Sequence, residues 1–279
     1  MLTGATIIDR RAIRYVTDLG PAAWIRGHLH PFAQDAGSVV PAIYDDYARV
    51  FHPAARDDDP VTWRAIAEAN GRTVHPEMQF GNIAGAWRDS PRPDVWTRPP
   101  TTGTLSAEIA SALADVLRAH TTTPERCWFA VWEGWGGFDP GTPRFDLPGR
   151  RYFLATGPID AAASSVLGDW TGQSPSMWWP DDRTWFVSTE IDFTYTYVGG
   201  TRQCIDAILD DPRIEALRAR SGDRITWDGD RLNASPGPPY EARAHMHLVG
   251  PLAAVLVEAA VGFVAWRVVR SLMRTRSRR

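Results

Sequence analysis

Between residues 185 and 197 the side chains alternate in character for thirteen positions. Trp185, Val187, Thr189, Ile191, Phe193, Tyr195 and Tyr197 share one parity, and Ser188, Glu190, Asp192, Thr194 and Thr196 share the other. A two-residue period is that of a strand, so the pattern predicts one long strand with an apolar core face and a second face of hydroxyls around two carboxylates. Strands more often stop at five or six residues, and a break near Glu190 would leave both carboxylates flanking a turn.

Elsewhere a helical period dominates the first half. Asp9 caps an expected helix carrying Ile13, Val16 and Leu19, stopped by Gly20-Pro21. Residues 41–51 place Ile43, Tyr44, Tyr47, Val50 and Phe51 on one helical face. Asp59 as N-cap and Pro60 at the first position predict a helix through VTWRAIAEAN, ended by Asn70-Gly71. Phe80, Ile83 and Trp87 suit a short helix. The Pro-rich loop at 89–103 then carries Val95 and Trp96, which belong against a core. Ser106 caps a helix whose apolar stripe is Ile109, Leu113, Val116 and Leu117. Beyond it the character changes. Strands are expected at 127–132, 151–156 and 224–228, a turn at 133–137, and helices at 160–167, from Thr201, and at 211–217. Helices before strands, without strict alternation, imply an α+β class. Its N-terminal part is helical, followed by a mostly antiparallel sheet with flanking helices.

Composition narrows the chemistry. The chain has no lysine, so its 30 cationic side chains are all arginines. Schiff-base mechanisms and the lysine-bearing phosphate loop are therefore excluded. Cys127 and Cys204 lie far apart with no metal-binding spacing, and no cofactor or metal is indicated. His28 and His30 form the HxH pair that opens some metal-dependent amidohydrolases, but no matching downstream set follows. The acidic triplet Asp57-Asp58-Asp59 reads as a helix start rather than a metal site. Residues 1–246 carry 24 Arg against 32 acids and residues 247–279 carry 6 Arg against Glu258, so an acidic body precedes a basic tail. No concentrated positive face on the body argues for nucleic acid.

The expected organisation is one domain over 1–233, a linker over 234–246, and a C-terminal hydrophobic helix with an Arg-rich end over 247–279. Residues 248–266 are apolar apart from Glu258, and Arg267, Arg270 and Arg274 fall on one helical face. That pattern fits a bilayer span, a helix lying in an anionic membrane surface, or a helix docked on a protein partner. No export signal is read at the N-terminus, so the expected location is cytoplasmic, membrane-associated through this helix.

The segments VVPAIYDDYARVFHPA, HTTTPERCWFAVWEGWG, QSPSMWWPDDRTWFVSTEIDFTYTYVGG and DPRIEAL resemble a group of actinobacterial proteins over roughly residues 35–233. That group has no assigned activity, so the resemblance implies no site residues. The order of elements is more loosely similar to the SUKH-type immunity superfamily.

Two functional readings follow from the residues. One is a non-enzymatic binding or interaction module tethered near the cytoplasmic membrane by its C-terminal helix. The alternative is a carboxylate-dependent hydrolase, acting for example on a glycan. Glu190 and Asp192 would then be the paired acids, with Glu133, between Trp132 and Trp135, as a third. Trp178, Trp179, Asp181, Asp182 and Arg183 would line a ligand site, the indoles stacking on a planar ligand and Arg183 holding an anion. The plainer account of the same residues is a polar strand face paired with neighbouring arginines, above core tryptophans. Gly199-Gly200 before a helix is a weak anion-cradle signal.

Overall fold

The computed structural model describes residues 13–233 apart from 85–90, 137, 139, 168–171 and 227. Backbone contacts divide the chain into two compact units, Met1–Ser235 and Pro236–Arg279. The expected C-terminal helix, Asp9 and Trp87 lie outside the described residues.

In chain order the strands and helices are β1 (Arg14–Tyr15), β2 (Asp46–Phe51), β3 (Ala54–Arg56), β4 (Asp59–Val61), α1 (Trp63–Ala69), α2 (Phe80–Ile83) and α3 (Ala107–Arg118). They continue with β5 (Cys127–Trp132), β6 (Phe145–Leu147), β7 (Arg150–Gly157), β8 (Met177–Pro180), β9 (Phe186–Ser188), β10 (Tyr195–Gly200), α4 (Arg202–Asp210) and β11 (Ala216–Ala219). The large sheet runs β1-β7-β5-β8-β9-β10-β2-β11, with β6 beside β7, and these neighbours all pair antiparallel. The chain is α+β.

Both faces of this sheet are covered. On one, α3 and α4 bring Ile109, Leu113, Leu117, Ile205 and Ile208 against Val50, Phe129, Trp178, Val187 and Val198. On the other, α1, α2, the N-terminal segment and the Pro-rich loop after α2 bring Ile25, Val40, Trp63, Phe80 and Trp96 against Tyr47, Phe51, Trp179, Phe186 and Tyr197. A strand buried on both faces loses its hydrophobic alternation. That is why residues 46–51 form a strand, not the helix their apolar spacing suggests. Tyr47 and Phe51 face one layer while Ala48 and Val50 face the other.

The remaining differences have local causes. The expected helix over 13–19 is absent because Arg14 and Tyr15 pair with Thr156 and Ala155 on the edge of β7. Residues 211–217 do not restart a helix, because Ala216–Ala219 pairs with β2. The described residues of the expected strand 224–228 form no strand; Arg224 makes one bridge, to Asp35. The helix expected over 160–167 is a short 3-10 turn, Ile159–Ala163. Asp59 and Pro60 lie in β4, beyond a tight turn in which Asp57 has φ 57°.

The α1 helix is capped instead by Thr62, whose side chain accepts the Ala65 N–H. A second cap comes from far along the chain. The Glu215 carboxylate accepts the N–H groups of Trp63 and Arg64, both at 2.7 Å. It satisfies two of the four orphan donors at the positive end of the helix and ties α1 to the residue preceding β11. Ser106 and Thr201 cap α3 and α4 as expected. No described helix is long and apolar enough to cross a membrane.

Replacing Glu215 with Ala is expected to lower the unfolding free energy by about 1–3 kcal/mol, with a smaller loss for Glu215→Gln. Urea denaturation measures both. An unchanged midpoint for Glu215→Ala would mean that the cap adds nothing.

Candidate functional site

The alternating run is a hairpin rather than one strand. Residues 186–188 form β9 and 195–200 form β10, with Ser188 opposite Tyr197 and Val187 opposite Val198. Between them the Phe193 N–H donates to the Glu190 carbonyl at 3.0 Å, closing a β-turn. The pairing changes the parity of the faces. Trp185 and Val187 join the layer of α3 and α4, whereas Tyr195 and Tyr197 join the opposite layer. The core face expected for all seven odd positions is therefore split between two cores. Gly103 packs against this turn with φ 70°, and a Cβ there would lie 2.4 Å from the Ile191 carbonyl oxygen, so only glycine fits.

The turn brings both carboxylates to one cation. Arg150 donates from Nε and Nη2 to Glu190 Oε1 at 3.1 and 2.7 Å, and from Nη2 to Asp192 Oδ2 at 2.8 Å. Glu190 and Arg150 are buried, while the Asp192 side chain is 51 % exposed. Burial pushes Glu190 above the ordinary carboxylate range, against the opposing pull of the guanidinium. Burial also disfavours the Arg150 charge, but Glu190 beside it holds the guanidinium protonated, its pKa above the usual value. The ends of the cluster are packed by rings. Phe32 lies 5.6 Å and Trp132 5.9 Å from the guanidinium carbon. A cavity of ≈ 10 Å³, lined by Phe32, Leu147, Arg150, Tyr152, Met177 and Glu190 among others, adjoins the pair. It has room for about one water molecule.

The sequence did carry a signal for Arg150 in Pro148-Gly149, the turn pair between β6 and β7 that directly precedes it. The signal does not say what Arg150 meets. Its partners lie 40 and 42 residues away.

The other singled-out residues disperse. Glu133 sits in a short 3-10 turn and accepts from Arg144 at 2.8 Å and Arg151 at 2.6 Å, a separate ion cluster. Trp178 and Trp179 do not form a ligand rim; they are 1 % and 0 % exposed and point into opposite cores. Asp181, Asp182 and Arg183 do form the turn leaving β8. Asp181 accepts from the Trp128 indole at 2.8 Å. Burial alone would raise Asp182, but donors from Thr122, Thr121 and Thr184 hold it below the ordinary range. Arg183 adopts φ 58° and lies 5.2 Å from the Trp24 ring. Gly199 and Gly200 end β10 under the Tyr44 ring and the Cys204 sulfur, which fill the space an anion would need.

Histidines and cysteines offer little reactivity. His30 meets Asp35 at 2.9 Å, and His75 meets Asp230 at 2.8 Å. Cys127 and Cys204 are free and buried, which pushes both thiols up to about 12. Among the described residues no group of three or more His, Cys, Asp and Glu is placed to hold a metal ion.

His52 lies just beyond β2 and is buried. Its Nδ1 is 2.8 Å from the Thr101 carbonyl and must donate there, so Nε2 accepts from the Thr196 hydroxyl at 2.9 Å. Thr196 in turn takes the Thr189 hydroxyl proton, the oxygens being 2.7 Å apart. This chain fixes the neutral imidazole and ends at Thr189, the residue before Glu190. Burial pulls its pKa down to about 4, against the opposing effect of the Thr101 contact.

No protein family, curated protein or solved structure matches the chain.

Two outcomes test this site. Arg150→Met strands a buried carboxylate and is expected to cost about 3–5 kcal/mol in urea unfolding at neutral pH, most of it recovered in Arg150→Met with Glu190→Met. A double variant no more stable than the single one would show that the pair is not a unit. For His52, the unfolded imidazole titrates near 6.5 and the folded one near 4. Between those values the unfolded chain binds the extra proton, so stability is full above pH 6.5 and falls as pH drops toward 4. Lowering pH from 6.5 to 5 is expected to cost roughly 2 kcal/mol more in the native protein than in His52→Gln. Equal pH slopes for the two would exclude this role.

Proposed function

We propose that this protein is a non-enzymatic binding or interaction module, held near the cytoplasmic face of a membrane by its C-terminal segment. The observation that carries the reading is the closed cluster of Arg150, Glu190 and Asp192. A hydrolytic carboxylate must meet a substrate oxygen or a water positioned beside one. Glu190 Oε1 accepts from two nitrogens of Arg150, and the side chain faces a space of ≈ 10 Å³. Glu133 is held by two other arginines. The alternative, a carboxylate-dependent hydrolase, draws its support from Glu190 lining that cavity with its pKa raised. Such an enzyme would need Arg150 to let go and the Phe32 side to open.

The tether rests on sequence chemistry. Residues 248–266 are apolar apart from Glu258, and Arg267, Arg270 and Arg274 recur at helical spacing. An apolar stripe beside a row of cations suits a membrane with anionic headgroups, each arginine near the surface adding about 1 kcal/mol. A protein partner with an acidic groove is the other binding surface that this segment suits.

Cell fractionation distinguishes them. The full chain is expected in the membrane pellet and released by high salt or detergent, and a chain ending at Asn233 is expected in the supernatant. If both chains stay in the supernatant, the tether is wrong and the segment serves a protein contact instead.

A further inference from the structure

The turn leaving β8 and the segment before β2 meet at the surface around Trp24, a half-buried indole that precedes the 3-10 turn Ile25–His28. Its ring packs at a steep angle against Trp179 and Phe186, with centroids 6.3 and 5.8 Å away. On its outer side stand groups that the core does not use. The Arg183 guanidinium carbon lies 5.2 Å from the ring centre. The His28 ring lies 6.0 Å away, its Nδ1 donating to the Trp24 carbonyl at 2.7 Å. The Ala42 N–H donates to the His28 carbonyl at 2.8 Å, and the Tyr44 hydroxyl to the Arg183 carbonyl at 3.2 Å. Ile43 stands between those two anchors.

Two features of this surface have no use inside the fold. Arg183 is exposed, and among the described residues its guanidinium has neither a hydrogen bond nor an ion pair. The neighbouring acids are committed elsewhere: Asp181 accepts from Arg126 and Trp128, and Asp182 from Thr121, Thr122 and Thr184. The turn needs only the backbone of this residue, whose N–H donates to the Pro180 carbonyl at 2.9 Å. That backbone holds φ 58°, where glycine or asparagine is favoured over arginine. The second feature is Ile43, which is 48 % exposed and packs in neither core.

A guanidinium set over an indole has less rotamer freedom left to lose on binding, and its in-plane N–H edges stay open to a carboxylate. Arg26, exposed on the adjoining 3-10 turn, adds a second cation with no ion pair among the described residues. We propose that Trp24, Ile43, Tyr44 and Arg183 form a docking surface for an acidic segment of a protein partner. Arg183 takes an Asp or Glu carboxylate bidentately, and Ile43 with the Tyr44 ring takes an apolar side chain beside it. Charge favours such a segment over a membrane. Asp45, exposed next to Tyr44, would face a continuous anionic surface but need not meet a single carboxylate. This surface shares no residue with the Arg150 cluster or the C-terminal segment, so it gives the body a partner independently of the tether.

The test pans a phage-displayed library of random peptides on the immobilised full chain and measures synthetic copies of the enriched clones by fluorescence anisotropy. The enriched peptides are expected to share an Asp or Glu beside a Leu, Ile or Phe. They are expected to bind Arg183→Asn at least about tenfold more weakly. Asparagine tolerates the left-handed backbone, so this variant keeps the turn. Arg183→Lys retains the charge without the fork and is expected to fall between the two. Ile43→Ser is expected to weaken binding several-fold while leaving its salt dependence unchanged. Enrichment without an acidic bias, or equal affinity for the native chain and Arg183→Asn, would overturn the proposal. So would either of two other readouts. A native dimer in sedimentation that Arg183→Asn dissociates would assign the surface to a second copy of the chain. Phosphatidylglycerol vesicles that bind full-length Arg183→Asn more weakly than the native chain would assign it to lipid.

Discussion

A sheet covered on both faces gives its central strands no solvent side, and that constraint governs most of what is unusual in this protein. Polar groups on β2, β9 and β10 gain most by finding partners inside, because an unpaired buried group forfeits its hydration without return. His52, Thr196 and Thr189 answer by linking in a chain. Ser176 answers through its hydroxyl, which accepts the Trp132 N–H at the end of β5. Glu190 and Arg150 answer by pairing with each other. The polar stripe that looks like a reactive face in the sequence is thus largely an interior, and its members are bound to one another.

That internal commitment bears directly on chemistry. Catalytic carboxylates are set apart by different environments and left free to meet a substrate. Here Glu190 and Asp192 do differ, one buried and one half exposed, but one guanidinium holds both. Fixing the β9–β10 turn and closing the end of the core near Phe32 is work enough for such a cluster. The arginine-rich, lysine-free composition favours planar bidentate contacts of this kind inside the body.

Several elements were legible in the chain because their cause is local. Ser106 and Thr201 announce α3 and α4 through side chains that accept an N–H three residues on. Cys127–Trp132 shows as an aromatic run of strand length, and Trp96 in a proline-rich loop is too large and apolar to stay outside. The break near Glu190 was legible as a limit on strand length. Residues 46–51 were not legible, because burial on both faces erases alternation and leaves an apolar spacing that fits a helix equally well. Neither was the start of α1, where Asp59-Pro60 resembles a cap yet the capping carboxylate belongs to Glu215.

By itself the sequence determined the α+β class, the caps of the long helices, the absence of lysine chemistry and the contrast between an acidic body and a basic tail. Each depends on residue type or on neighbours within a turn or two. Tertiary structure alone decided that Trp178 and Trp179 enter opposite cores, that Glu133 stands apart from Glu190, and that Arg150 draws two carboxylates together. It also decided that the thirteen-residue alternation folds back on itself as a hairpin. These outcomes depend on which strand lies beside which and on the register between them. Pairing across 40 or 150 residues leaves no mark on either partner.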